Sequence, residues 1–268
     1  MLSWMASGQR VSASTACSLC TTVCAMVSML LLEPALAVAQ ADYAREKRWA
    51  DEVAPMLVVG DPVYLEQKGG HKFLAIWTPN VKAAAGVIVV HGVGVHPDWG
   101  LISTLRSRLA DEGYATLSVQ MPVLAADAAG NQYPQVFPDA SERLGIALAF
   151  VRTKGLKRVA IVSHSMGSRM TNYFLNHTAH PGVDAWVAIG LSGEFTDPGG
   201  FKVPVLDLYG EKDLRAVLGA AAQRAAAIRR IRGSGQVQIA GADHFFAGRE
   251  QELVNQVKLF LDARLKGH

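Results

Sequence analysis

The sequence predicts an α/β domain, built on a mostly parallel central sheet with helices on both faces. Three observations carry this. From residue 86 onward, short apolar runs alternate with segments of helical periodicity, the pattern of repeated strand–helix–strand crossovers. Runs such as Gly86–Val90 show no polar alternation, as expected of strands buried on both faces. The chain has 268 residues, and the portion 40–268 fits one α/β unit of roughly 200–250 residues. It contains no internal repeat, low-complexity linker or second domain.

The elements follow in order. Ala41–Pro55 is charged and helix-prone, with Tyr43, Lys47 and Trp49 among acids and arginines. Pro62–Gln67 and Lys72–Thr78, split by Gly69 and Gly70, read as a hairpin that adds antiparallel strands at one edge. After the strand Gly86–Val90, Leu101, Ile102, Leu105 and Leu109 share one helical face, and Gly113 ends that helix. Ala115–Gln120 is the next strand. Pro122–Pro138 reads as the longest irregular stretch, and a loop of that length is expected to serve the site. It should roof an open cleft, with Tyr133 and Phe137 as an apolar substrate-binding wall.

Ser141–Lys154 reads as a helix through Leu144, Leu148 and Val151, followed by the strand Arg158–Val162. A helix then runs from about Met166 through Met170 and Phe174. Ala185–Gly190 and Val203–Tyr209 are two further buried strands. Only about a dozen residues separate them, too few for a large cap domain. Leu214–Ile231 reads as one Ala/Arg-rich helix, Val237–Ala240 as the last strand and Gln251–Leu265 as an amphipathic closing helix.

Composition excludes several classes. A net charge of +3 is too small to argue for nucleic acid, and Arg224, Arg229, Arg230 and Arg232 read as a solvated helix face. Residues 1–39 have the layout of a signal peptide: Arg10, the apolar run Val11–Leu32, then Ala37-x-Ala39 before Gln40. An uncleaved N-terminal anchor is the rival, since the run is long enough to span a bilayer. The expected location is periplasmic or secreted, with membrane-anchored as the alternative if the segment is uncleaved, and membrane contact only through that segment. Cys17, Cys20 and Cys24 all lie within it, so the domain offers no thiol nucleophile, disulfide or thiolate metal ligand.

The chemistry is carried by Ser165, in Ser163-His164-Ser165-Met166-Gly167 directly after an apolar strand. A strand-to-helix turn of this kind presents its central serine and tolerates only small residues two positions away. Gly167 meets that requirement; Ser163 stands where the usual pattern has glycine. Acyl transfer by serine also needs a base, a carboxylate to orient it and donors for the oxyanion. Asp213 follows the strand Val203–Tyr209, and His244 follows the last strand, so Ser, Asp and His occur in order past three strand ends. Asp207 and Glu211 are rivals for the acid: Asp207 lies within the strand, and Glu211 precedes the turn. The oxyanion donors would be the N–H of Met166 and that of Val93 or Gly94, in the loop His91–Trp99. His164 should point away from the hydroxyl and support the turn, and Asp243 should cap its own loop.

No cofactor or metal is expected. Gly92-x-Gly94 has Pro97 where a dinucleotide fingerprint has its third glycine, and His91, His96 and Asp98 fit no zinc spacing. Ser168 rather than Lys lies three residues after Ser165, which excludes an S-x-x-K site.

With these residues in place, the chain over about residues 60–265 resembles the α/β-hydrolase superfamily. His96-Pro97-Asp98-Trp99, Gly113–Ser118, Met121-Pro122, Val205–Gly210 and Gly241–His244 are similar to an exported bacterial family of unknown function. The resemblance implies the α/β-hydrolase fold and hydrolase ancestry, and no substrate. Two functional readings stand side by side: a serine hydrolase of the cell envelope acting on a small-molecule ester or thioester, and a non-catalytic binding protein with the same fold. A peptidase ranks below both, because no acidic clamp or propeller-like domain is present to select peptides.

Overall fold

The structure, a computed structural model, describes residues 40–196 and 203–266. The leader segment and its cysteines lie outside the described residues. Among the described residues, no helix is long and apolar enough to cross a membrane.

Eight strands form one sheet: β1 (Asp61–Glu66), β2 (Lys72–Thr78), β3 (Ala85–Val90), β4 (Ala115–Val119), β5 (Arg158–His164), β6 (Ala185–Ile189), β7 (Val205–Gly210) and β8 (Gly235–Ile239). Their spatial order is β1-β2-β4-β3-β5-β6-β7-β8. The pairs β1–β2 and β2–β4 are antiparallel, and every pair from β4 to β8 is parallel. The mostly parallel sheet with an antiparallel leading hairpin is therefore as the sequence predicts.

Each central strand is apolar on both sides because each side is covered. Helices α3 (Phe137–Thr153) and α4 (Met166–His177) pack Leu144, Leu148, Val151, Met170 and Phe174 against Ile88, Val90, Ile161 and Trp186. On the opposite face, α2 (Gly100–Asp111) and the closing helix Glu250–Leu265 pack Leu101, Ile102, Leu105, Leu253 and Val257 against Val87, Val89, Val162 and Val187. Burial of this apolar area on both faces is the main stabilising contribution.

Helix α1 (Tyr43–Val53) is held differently. Asp42 caps it, accepting from Arg45 N at 2.9 Å, and its Glu46 is buried. The Glu46 carboxylate accepts from Arg143 Nη1 at 2.9 Å, while Arg143 Nε donates to Gln67 Oε1 at 2.9 Å and Nη1 to Gln120 O at 3.0 Å. One buried arginine thus ties α1, the hairpin, β4 and α3 together.

Three expectations are corrected. The stretch Pro122–Pro138 is not irregular throughout: Gly130–Val136 winds as a 3-10 segment, and α3 begins at Phe137 rather than Ser141. Pro138, which suggests a loop, sits in the first turn of the helix, where its missing N–H costs nothing. The helix expected over Leu214–Ile231 is two helices, α5 (Arg215–Leu218) and α6 (Ala221–Ile228). Arg224, expected on a solvated face, is fully buried: its Nε donates to both oxygens of Asp207, at 3.0 and 2.9 Å, and its Nη1 to Gly193 O and Val217 O.

Removing one member of such a buried pair leaves the other charged without compensation. Arg224→Leu is expected to cost about 3–5 kcal/mol in urea unfolding. Arg224→Leu combined with Asp207→Leu should recover part of that loss. A single-variant cost below about 1 kcal/mol would show the pair to be incidental.

Candidate active site

Strand β5 ends at His164 and α4 begins at Met166, leaving Ser165 alone to make the turn, with φ 55° and ψ −120°. A non-glycine residue in this region is strained by about 1–3 kcal/mol and persists only where its surroundings over-determine it. Here Ser165 N donates to Ile189 O at 2.8 Å, and Ser165 O accepts from Ser168 N at 3.0 Å. Position 167 must be glycine: a Cβ there would lie 2.4 Å from His91 O and 2.8 Å from Val90 O.

Ser163 fits without cost. Its buried hydroxyl accepts from Trp186 Nε1 at 2.8 Å and lies 3.1 Å from Ser168 Oγ. Trp186 is wholly buried and needs an acceptor for its N–H, which a glycine at 163 would not supply.

The structure brings Ser165, Asp213 and His244 together. Asp213 Oδ1 lies 2.6 Å from His244 Nδ1, and His244 Nε2 lies 2.9 Å from Ser165 Oγ. Burial raises the Asp213 carboxyl, but the His244 hydrogen bond and charge, with the N–H groups of Leu214 and Gly210, outweigh it and hold the pKa below the ordinary value. Asp213 is therefore an anion, so the shared proton sits on His244 Nδ1 and leaves Nε2 free to accept from the serine hydroxyl. The rivals are engaged elsewhere: Asp207 with Arg224, and Glu211 Oε2 with Gly241 N at 2.7 Å.

His244 is wedged in place. Gly190 has φ 58°, and a Cβ there would stand 3.0 Å from His244 Cε1. On the other side His164, buried beside it with ring centroids 4.7 Å apart, donates Nε2–H to His244 O at 2.9 Å. Asp243 caps the same loop as expected, accepting from Phe245 N at 2.9 Å and Ala247 N at 3.1 Å.

As the first residue of α4, Met166 has an N–H without an intrahelical acceptor. Gly92 faces the serine closely, since a Cβ there would lie 3.1 Å from Ser165 Cβ, which brings the loop that carries Val93 against the turn. Gly94, at φ 69°, turns the loop away, and its carbonyl is 3.5 Å from Arg45 Nη2. His91 fixes this loop from beneath: Nδ1–H donates to Gly92 O at 2.8 Å, and Nε2 accepts from Met121 N at 2.9 Å. Asp98 is bound by Arg106, whose Nε donates to it at 2.8 Å.

The structure separates the two residues expected to form an aromatic wall. Tyr133 is buried in the core, its hydroxyl accepting from Leu124 N at 3.3 Å, so it cannot line a cleft. Phe137 lines a cavity of about 380 Å³ with Arg169, Tyr173 and Ser192 among the other walls, and none of Ser165, Asp213 and His244 borders it. Three exposed side chains not foreseen from the sequence flank the site: Val93, Leu214 and Phe245. Leu214 and Phe245 each directly follow a site residue, Asp213 and His244, which is the one signal that could have found them.

Comparison with known proteins agrees with this architecture. The first part of the chain, residues 33–139, matches the model of a family described as "Protein of unknown function (DUF3530)", a span that ends before Ser165. No curated protein matches the sequence. Among solved structures, an α/β serine hydrolase without lid from Xanthomonas campestris is 13% identical, with TM-score 0.62, covering 79% of this chain and 98% of that one. An esterase from Pyrococcus furiosus is 13% identical, with TM-score 0.63 and coverage of 77% and 93%. A candidate α/β hydrolase of unknown function from Agrobacterium tumefaciens is 19% identical, with TM-score 0.60 and coverage of 77% and 97%. The chain has the α/β-hydrolase fold.

Burial lowers the pKa of His91 to about 3 and of His164 to about 4, so both are neutral in the folded protein where an unfolded histidine would already be protonated. The unfolded chain binds more protons below ~6.5, so stability is full above that pH and falls as pH drops toward the folded values. Each histidine steepens the fall by up to about 1.4 kcal/mol per pH unit. His164→Gln, which keeps an N–H donor, should give a shallower dependence of the unfolding midpoint on pH between ~6.5 and 4. An unchanged slope would show that His164 is not buried in neutral form.

Proposed function

We propose that this protein is a serine hydrolase of the cell envelope that cleaves an ester or thioester of a small acyl substrate. The observation that carries the reading is the continuous hydrogen-bonded line from Asp213 through His244 to Ser165, ending on a strained, half-buried serine. The structural neighbours, which include an esterase and a lidless serine hydrolase, support the class of chemistry. The N-terminal layout of the sequence is the ground for an exported location.

In this reading Ser165 Oγ attacks the acyl carbonyl as its proton passes to His244 Nε2. Asp213 holds the imidazole in the required tautomer and stabilises the imidazolium. The oxyanion receives the N–H groups of Met166 and Val93, each worth about 3–4 kcal/mol in the transition state. His244 then returns the proton to the leaving group, and water, activated by the same imidazole, releases the acyl group. The exposed apolar side chains of Val93, Leu214 and Phe245 give the acyl and leaving groups a surface to lie against.

A non-catalytic binding role would require no such alignment, and a strained serine is difficult to account for in a site that only binds. The test is labelling by a fluorophosphonate probe together with turnover of p-nitrophenyl esters. Wild type should be labelled at Ser165 and turn over. Ser165→Ala should lose labelling and at least about a thousandfold in kcat while keeping its unfolding midpoint. Wild-type turnover in the alanine variant would refute the assignment, and a folded, unlabelled and inactive wild type would favour the binder.

A further inference from the structure

Resting on that reading, the geometry points to an ester substrate that carries a carboxylate, bound by Arg169 in the cavity against α4, the helix that Ser165 begins. None of Ser165, Asp213 and His244 lines the cavity, but its walls belong to segments that lead directly from them. Arg169 lies one helical turn past Ser165 on α4, with its N–H 3.4 Å from Ser165 O and its Nη1 3.9 Å from Met166 Sδ. The facing wall, Ser192 to Glu194, follows Gly190, the glycine packed against His244. Ala216 closes the third side just past Asp213 and accepts from Gly193 N at 3.1 Å. At about 380 Å³ the space suits a small organic group.

Arg169 has no acid partner among the described residues, in contrast to the fold's buried arginines. The fold's buried arginines are paired: Arg143 with Glu46, Arg224 with Asp207 and Arg106 with Asp98. Arg169 is half-buried and, among the described residues, forms no ion pair. It is held instead over the Phe137 ring, at 5.7 Å, and against the Met166 sulfur. Both contacts fix the guanidinium while leaving most of its N–H donors unspent, which is the arrangement suited to receiving a carboxylate. Glu194, also on the wall, is exposed and forms no ion pair among the described residues; water screens it. A single guanidinium favours a monoanion over a doubly charged phosphate. Phe137 and Tyr173, edge to face at 5.7 Å, supply the apolar lining for the carbon chain leading to it.

The experiment compares kcat/KM for p-nitrophenyl hemiadipate and its neutral counterpart p-nitrophenyl hexanoate, and for 4-acetoxybenzoate against phenyl acetate. The first pair places the anion on the acyl arm and the second on the alcohol arm. Wild type should prefer the anionic member of one pair by about tenfold or more, and Arg169→Met should erase that preference while leaving the neutral ester within about twofold. Arg169→Lys should retain part of it, chiefly as a KM effect. Equal rates within both wild-type pairs, or equal loss on anionic and neutral esters in Arg169→Met, would overturn the carboxylate subsite and leave the hydrolase intact. A wild type neither labelled by fluorophosphonate nor active on any ester would overturn both.

Discussion

The close approach of helix α4 to the carboxyl end of strand β3 is the constraint on which the site depends. Backbone meets backbone there: the Cα of Gly167 sits so near His91 O and Val90 O that no side chain fits between. Because α4 is drawn in this far, one residue must turn the chain from strand to helix, and Ser165 takes the strained conformation that results. The same approach sets Gly92 against Ser165 and so brings the His91–Gly94 loop to the serine. The serine's exposure, its strain and its neighbouring peptide N–H groups are three consequences of one packing distance. The energy to hold the strain comes from the apolar contacts of α3 and α4 on the sheet, which cover far more area than the turn distorts.

Three histidines near this turn show how burial divides one residue type among different tasks. His91 and His164 are enclosed and kept neutral; His91 spends both ring nitrogens on backbone groups, and His164 spends its Nε2 on one. His91 shapes the loop carrying Val93; His164 anchors the main chain of His244. Only His244 has one nitrogen committed to a carboxylate and the other directed at a hydroxyl. A titrating group is useful for proton transfer when its partner nitrogen is fixed and its surroundings do not themselves change charge. The two neutral rings meet the second condition.

Much of this was legible in the sequence because it follows from local rules. Apolar runs with helical segments between them mark the parallel sheet, and the order of Ser165, Asp213 and His244 past three strand ends marks the site before any geometry is known. The misreadings share a cause. Tyr133, Pro138 and Arg224 each belong to a type whose ordinary place is a loop or surface, and tertiary contacts overrode that preference. A hydroxyl acceptor role in the core, a place in the first turn of a helix and a buried carboxylate partner are not properties of a neighbouring residue in the chain. Ser163 belongs with them: it looked like a defect in the turn, yet it answers Trp186, twenty-odd residues away.

Arg224 also shows why a buried ion pair can be retained although an apolar replacement would serve stability as well. Its guanidinium is shared between Asp207 on β7 and two carbonyls, Gly193 O and Val217 O. Those carbonyls belong to the segments after β6 and β7. An aliphatic side chain could fill the volume, but it could not fix the direction of either carbonyl. The fixed direction matters because Gly193 stands in the wall of the cavity that Arg169 enters, and Val217 lies on α5 just beyond Asp213. The pair converts a buried charge, costly to desolvate, into the position of two loops at the site.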